Sequence, residues 1–253
     1  EIYTLSLHDA LPIWTSEQCE KLFEDIVLAF KKDREHFCGS FVYAPLPTRK
    51  HIDRYIIIDG QQRFTTLYIL IKALADSATD ESDKAELEKY LYNEDKFNRY
   101  GLDDKSKLKL KPVKTDNDQL QLLMAGKLDK MSKGKDGSIY HNYMLFRELI
   151  ATFLAEDPDN SIMMIHDGMD SLICADIKLD SDDDAQEIFE RINSTGIKLG
   201  LPDLIRNYVL MTDDDQERLY EEYWLVMQEL LSKDRMESFF LDYLSKKIGR
   251  AHV

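Results

Sequence analysis

The sequence predicts an α+β fold, with a small mixed sheet early in the chain followed by a mainly helical half. Three observations support this prediction. Apolar and β-branched segments bounded by turn residues occur at Phe37–Ala44 and His51–Asp59, as expected of strands. Beyond Gln62, apolar residues recur mostly at helical spacing. One further alternating segment, Leu172–Leu179, predicts a late strand among the helices.

The early elements surround a short polar junction. Gln18–Phe30 is predicted to be a helix, and Phe37–Ala44 a strand that Pro45 and Pro47 bring to an end. A loose hairpin then leads to the second strand, His51–Asp59. Gln62–Ala75 is predicted to be a strong helix whose buried stripe consists of Leu67, Leu70, Ile71 and Leu74.

The later elements are predicted mainly from helical periodicity. A third strand is expected at Leu108–Val113, where lysines alternate with other residues. The remaining predicted helices are Lys84–Leu91, Asn117–Met124, Ile139–Leu154, Ser161–Met169, Ala185–Ile192, Asp203–Met211, Asp213–Leu231 and Met236–Ser245.

Composition limits the class of protein. No apolar run is long enough to span a membrane. The three cysteines, Cys19, Cys38 and Cys174, are isolated and match no zinc-binding spacing. They are predicted to be reduced, buried thiols of a cytoplasmic protein.

Both ends of the chain carry a signature of sequencing chemistry. Residues 1–13 back-translate, codon by codon, to a common high-throughput sequencing adapter, and residues 248–253 back-translate to the opposite adapter. We therefore predict that both are artefacts and set them aside from the fold. The remaining chain is interpreted as an internal fragment, with one domain at 14–211 and a truncated helical extension at 212–247.

The net charge of −15 disfavours non-specific binding of nucleic acid, which requires local lysine and arginine. A basic stretch includes Lys107, Lys109 and Lys111, which would line one face of a strand and are candidate DNA contacts. The alternative is an edge strand whose lysines protect it from aggregation.

The most informative stretch is Asp59–Arg63, with the sequence Asp-Gly-Gln-Gln-Arg, at a strand-to-helix junction. Asp59 could hold Mg²⁺ or orient a water molecule. Gly60 permits close approach of the backbone, and the planar fork of Arg63 matches phosphate oxygens. The side chains of Gln61 and Gln62 offer hydrogen-bond donors and acceptors, and Thr65 and Thr66 are placed in the first helical turn. The alternative is a capped turn with an Asp–Arg salt bridge.

A second group of residues lies downstream. Asn193 and Gly196 follow the predicted helix Ala185–Ile192, and Asn193 could bind either the backbone or a ligand. The alternative is a helix C-cap with a surface ion pair. Asp182–Asp184 is interpreted as a helix start rather than a calcium loop, whose glycine and distal glutamate are missing.

Together, these motifs resemble the N-terminal domain of GmrSD-type modification-dependent restriction endonucleases. The matching runs are Phe37–Ser40, Ile58–Leu67, Ile188–Gly196 and Asp203–Asn207, and the resemblance extends over about Trp14–Met211. It implies a ParB/sulfiredoxin-like fold, and it implies hydrolysis of a nucleoside triphosphate with Mg²⁺ and sensing of modified DNA in phage defence. An HNH-type nuclease domain would follow in the parent chain.

The resemblance also implies roles for individual residues. Asp59, Gln61, Gln62 and Arg63 would be catalytic, with Asp59 as the metal ligand. The nucleotide phosphates would be bound by Gly60, Arg63, Thr65, Thr66, Asn193 and Gly196. Two alternatives remain: a non-catalytic DNA-recognition module that uses the same cleft, and direct phosphodiester cleavage in that cleft.

Overall fold

The computed structural model describes residues 3–7, 14–49, 52–93, 107–111, 114–134, 137–179, 202, 205, 219–231 and 233–250. The chain divides into two compact units, Glu1–Asp182 and Asp183–Val253. In the first unit, the described residues form helices and one mixed sheet, which confirms the predicted α+β class.

Within the described residues, five strands form this sheet in the order β4-β1-β3-β2-β5. Only β2 and β3 pair in antiparallel fashion, and the other neighbours are parallel. The hairpin predicted between the first two strands is thereby confirmed. The strands are β1 (Tyr3–Leu7), β2 (His36–Arg49), β3 (Ile52–Asp59), β4 (Leu110–Lys111) and β5 (Leu172–Lys178).

The helices of the first unit agree with the predicted periodicity to within a few residues. α1 begins with a capping box, in which the Thr15 side chain and Gln18 satisfy each other's backbone N–H groups. The described helices of this unit are α1 (Ser16–Lys32), α2 (Gln61–Ser77), α3 (Glu81–Leu91), α4 (Lys114–Met124), α5 (Ser138–Glu156) and α6 (Ile162–Asp170), with a 3₁₀ turn at Leu128–Lys130.

Helix α2 is the centre of the hydrophobic core. Its predicted stripe is only partly confirmed: Leu70 and Leu74 are buried, whereas Leu67 and Ile71 are half-buried. Other residues of α2 are fully covered instead, namely Tyr68, Ile69 and Ala73. α2 packs against both α3 and α5, so most of its circumference is covered. A helix enclosed on several sides does not show the simple amphipathic period of a surface helix.

Strand β2 does not end at its prolines, as the sequence suggested. Pro45 pairs with Tyr55 in the β2–β3 ladder, and the strand continues to Arg49. Among the described residues, pairing of β2 with β5 ends at Tyr43. Beyond that point, no described strand pairs with this side of β2, and the missing N–H of a proline is tolerated on such an edge.

Of the strand predicted at Leu108–Val113, the structure describes the residues up to Lys111. Only Leu110–Lys111 is a strand, paired with β1, and Leu108 forms an isolated bridge with Tyr92. The predicted alternation is nevertheless present, because Leu108 and Leu110 are buried.

Tyr3–Leu7, which the sequence analysis set aside, forms strand β1 between β3 and β4. The segment therefore takes part in the sheet. Its suggested origin in a sequencing adapter stays a prediction.

The second unit is described only in part. It contains a π-helical turn at Tyr220–Trp224, followed by α7 (Leu225–Leu230) and α8 (Lys233–Arg250). Trp224 stacks on Phe240 and forms a small buried cluster with Met236. The predicted helix Ala185–Ile192 lies outside the described residues. In the described part of the chain, no helix has the length and apolar character needed to cross a membrane.

Candidate functional site

The junction between β3 and α2, residues Asp59–Arg63, is called here the β3–α2 corner. The first helical hydrogen bond runs from the N–H of Phe64 to the carbonyl of Gly60, at 3.0 Å. No side chain caps this helix, because its N-cap residue is Gly60 itself. The first-turn N–H groups of a helix have no partner within the helix, and they carry the positive end of its dipole. The corner is therefore an uncapped helix N-terminus; of the alternative interpretation, the cap is absent and the Asp–Arg salt bridge is present.

Glycine is required at position 60 for two reasons. Its φ of 90° lies in the left-handed region that other residues rarely adopt. A Cβ at this position would also lie 2.4 Å from Cδ1 of Phe41, on the neighbouring strand. Phe41 in turn packs edge-on against Phe64, with ring centroids 4.4 Å apart. The backbone of the corner is thus in close contact with β2.

Asp59 and Arg63 face each other across the first turn of α2. Nη2 of Arg63 lies 3.6 Å from Oδ2 of Asp59, and the two side chains are 24% and 25% exposed. The hydroxyl of Ser40 donates a hydrogen bond to the same carboxylate oxygen at 3.4 Å, and Nη2 of Arg63 donates to the Ser40 carbonyl. A carboxylate and a guanidinium therefore meet at one partly exposed point.

Strand β2 holds the guanidinium of Arg63 in place. The group lies over the ring of Phe41, 5.2 Å from its centroid, and occupies the space that a side chain on Gly39 would need. Its Nε is buried and has no hydrogen-bond partner among the described residues. A buried donor without a partner costs free energy, so this side chain has hydrogen-bonding capacity to offer a ligand.

The two glutamines of the corner differ in position. Gln61 is buried, 4% exposed, and its Nε2 donates to the carbonyl of Ile57 at 2.8 Å. Gln62 is half-buried, and its amide makes no hydrogen bond with the described part of the chain. The structure thus brings Gln62 to the surface of the corner, whereas the amide of Gln61 is directed back to β3.

Thr65 and Thr66 do not lie in the first helical turn, as the sequence analysis placed them. Because α2 begins at Gln61, they belong to its second turn, and both are buried. The N–H groups of this turn bond to carbonyls one turn earlier. A phosphate at the helix terminus would therefore meet the N–H groups of Gln62 and Arg63 first.

The other candidate residues lie elsewhere or outside the described residues. Asn193 and Gly196 are outside them, so the proposed second wall of the cleft stays a prediction. Lys107 is exposed, whereas Lys109 and Lys111 are half-buried. Their contact with DNA also stays a prediction.

The charge of Arg63 acts on two nearby thiols, those of Cys38 and Cys174. Burial raises the pKa of Cys38 and of Cys174, and the Arg63 guanidinium opposes this increase at both. The prediction of three buried thiols was wrong, since Cys38 is half-buried and Cys174 is exposed. Among the described residues, most side chains of β5 are exposed, and that of Cys174 is one of them.

Sequence reasoning missed the contribution of Gly39, Ser40 and Phe41 to the corner. Antiparallel pairing sets Val42 opposite Asp59, which brings the preceding residues of β2 beside the corner. The signal available was the Gly-Ser pair inside an apolar strand, since an internal glycine marks a bulge or a close contact. β2 is indeed irregular between Phe37 and Ser40.

The family model of the GmrSD restriction endonuclease N-terminal domain matches residues 13–210. The chain belongs to this family. The resemblance stated from the two motifs is thereby confirmed. The match includes the β3–α2 corner, so the Asp-Gly-Gln-Gln-Arg run lies within the GmrSD domain itself. GmrSD is a restriction endonuclease, which places the family in phage defence. Comparison with curated proteins gave no match.

Proposed function

We propose that the β3–α2 corner binds the phosphates of a nucleoside triphosphate, and that this GmrSD domain hydrolyses the nucleotide while sensing modified DNA. One observation carries the proposal. A guanidinium with a buried, unpartnered Nε lies beside an uncapped helix N-terminus and a partly exposed carboxylate. This combination of donors suits a phosphate and its counter-ion.

Arg63 and the helix terminus provide the positive charge that phosphate binding requires. The guanidinium offers planar paired donors, and its orientation is fixed by Phe41 and Ser40 before any ligand arrives. Such pre-orientation reduces the entropy lost on binding. The N–H groups of Gln62 and Arg63, in the first turn, add donors along the helix axis. The corner therefore favours an anion with several oxygens.

Asp59 is suited to hold Mg²⁺. Magnesium sites in nucleotide enzymes commonly use one or two carboxylates together with the substrate phosphates. Arg63 and Ser40 both contact Oδ2 of Asp59, and no described residue bonds to Oδ1. When bound, Mg²⁺ would neutralise charge on the phosphate oxygens.

Gln62 is the better placed of the two glutamines to orient the attacking water. A side-chain amide can accept a hydrogen bond from water and donate one to a phosphate oxygen. The amide of Gln61 is buried against β3, which gives it a role in holding the corner together. This assigns to Gln62 the role that the sequence left open between the two residues.

The test is nucleotide binding and turnover with Mg²⁺, measured by fluorescent-nucleotide titration and phosphate release. Arg63→Gln and Asp59→Asn are expected to weaken binding or turnover at least tenfold, because each removes a charge at the corner. Arg34→Gln and Asp129→Asn are matched controls, since both residues are exposed and lie outside the corner. Unchanged nucleotide binding and turnover in both corner variants would contradict the proposal.

The second candidate function is a non-catalytic DNA-recognition module. Arg63 and the helix terminus would also fit a phosphate of the DNA backbone, since arginine side chains and helix N-termini are common donors to DNA phosphates. This alternative predicts DNA binding that weakens steeply with salt, without nucleotide turnover. Charge reversal at the exposed Lys107 tests whether the lysine stretch is part of a DNA-binding surface. Equal DNA affinity in Lys107→Glu would exclude that role for the stretch.

A further inference from the structure

A buried histidine outside the β3–α2 corner faces two carboxylates. His166 lies on α6, which packs closely on α1 because Gly168 contacts the backbone of Ile26; a Cβ on Gly168 would lie 2.4 Å from that carbonyl oxygen. His166 is 8% exposed, and its Nδ1 is buried without a hydrogen-bond partner among the described residues. The imidazole is thus fixed by packing and has one ring nitrogen unused.

The two carboxylates belong to Asp167 and Asp170, on the same helix. Nδ1 of His166 lies 3.6 Å from an oxygen of Asp167 and 3.8 Å from an oxygen of Asp170. The three ligand atoms all lie within 4.8 Å of one another. The two aspartates are 59% and 65% exposed, so the cluster opens to solvent on the carboxylate side.

These distances suit a shared cation better than direct hydrogen bonds. Both Nδ1–oxygen distances exceed the range of an N–H···O hydrogen bond. Two ligands that each lie about 2.1 Å from one metal ion are roughly 3 to 4 Å apart, in either tetrahedral or octahedral geometry. The two Nδ1–oxygen separations fall in that interval. Two carboxylates this close to each other also gain from a positive charge between them.

Tyr90 contacts the other ring nitrogen of His166. Nε2 of His166 lies 3.2 Å from the Tyr90 hydroxyl, and the two rings are 5.4 Å apart. In the tautomer whose Nε2–H donates to this oxygen, the lone pair of Nδ1 points to the carboxylates. A metal-bound histidine usually donates a hydrogen bond from its other ring nitrogen.

We propose that His166, Asp167 and Asp170 form a binding site for a divalent transition-metal cation, with Zn²⁺ the preferred ion. One imidazole and two carboxylates suit Zn²⁺, and the imidazole disfavours Mg²⁺ and Ca²⁺. The site shares no residue with the β3–α2 corner and does not depend on the proposed nucleotide function. All three ligands lie on α6, and Tyr90 of α3 contacts the ring nitrogen that faces away from the site.

The experiment is titration of the metal-free chain with ZnCl₂ by calorimetry, with MgCl₂ titrated for comparison. One Zn²⁺ site is expected. Asp167→Asn/Asp170→Asn should weaken it at least tenfold, because both charged ligands are lost. Since both aspartates are exposed, this variant is expected to fold. Tyr90→Phe should weaken Zn²⁺ binding about tenfold, through loss of the hydrogen bond to His166.

The matched control is His36→Ala. His36 lies 3.7 Å from a single carboxylate, that of Asp25, and so represents non-specific metal binding by a histidine–carboxylate pair. Zn²⁺ affinity should be unchanged in this variant. The melting temperature of the unaltered chain should rise by roughly 5 °C at 100 times the dissociation constant. The proposal is overturned if the double aspartate variant binds Zn²⁺ as tightly as the unaltered chain, or if His36→Ala abolishes the binding.

Discussion

The guanidinium of Arg63 occupies the space in which a side chain on Gly39 would lie. A Cβ on Gly39 would be 2.6 Å from Nη1 and 2.9 Å from Cζ of Arg63, and Gly39 has a φ of 104°. The position of Arg63 on α2 therefore depends on Gly39 of β2, which has no side chain.

Gly39→Ala is expected to displace Arg63 and to weaken nucleotide binding at least tenfold, measured by fluorescent-nucleotide titration. Gly126→Ala separates this effect from backbone strain, because Gly126 also has positive φ but a Cβ there meets nothing within 4 Å. Both variants should lose about 1 kcal/mol of stability. Only Gly39→Ala should lose binding, and equal binding in both variants would contradict the coupling.

Replacement of the two glutamines should separate stability from function. Gln61→Ala removes the hydrogen bond to Ile57 and should lower the free energy of unfolding by about 1–2 kcal/mol, measured by urea denaturation. Gln62→Ala should leave stability within about 0.5 kcal/mol and reduce nucleotide turnover. The reverse pattern would show that Gln61 is the residue that acts on the substrate.

The thiols should react with iodoacetamide in the order Cys174, Cys38, Cys19. Burial, then Glu20, raises the pKa of Cys19 to about 12, so this thiol should stay unmodified at pH 8 until the protein unfolds. Arg63→Gln removes a charge that lowers the pKa of the other two thiols. Their pKa should rise in this variant, and their alkylation at fixed pH should slow, as measured by peptide mass spectrometry. An unchanged pH–rate profile would mean that the guanidinium does not influence the thiols.

Asp76→Ala should be strongly destabilising, because it leaves the ammonium of Lys72 buried without its partner. Lys72 is 9% exposed and lies 2.7 Å from Asp76, which also accepts a hydrogen bond from Tyr143 at 2.8 Å. The expected loss is about 2–3 kcal/mol in the free energy of unfolding, measured by urea denaturation. Glu86→Ala breaks the surface pair with Lys89 and should cost less than about 1 kcal/mol. Similar losses in the two variants would show that burial does not matter here.

Local patterns predicted much of the first unit and the central run of the site. The apolar spacing after Gln62 was sufficient to predict α2, and the run ending at Asp59 was sufficient to predict β3. Asp59 and Arg63 were expected to meet because they lie four residues apart at a helix start, and the structure brings them within 3.6 Å.

Features that depend on neighbouring strands were not predictable in the same way. The contacts of Gly39 and Phe41 with the corner follow from the β2–β3 register, which no local pattern encodes. The continuation of β2 through Pro45 depends on where β5 stops pairing. Thr65 was misplaced because the helix starts one residue earlier than its apolar period suggests, whereas Thr66 lies beyond the first turn from either start.

Strand β1 has a consequence for how tolerant this sheet is to change in sequence. Its described role is backbone pairing in two parallel ladders, with Asp53–Ile57 on one side and Leu110–Lys111 on the other. Main-chain hydrogen bonds of this kind are available to almost any extended peptide without proline. The position between β3 and β4 is therefore defined by backbone geometry, and the pairing of β1 there places little demand on the identity of its side chains.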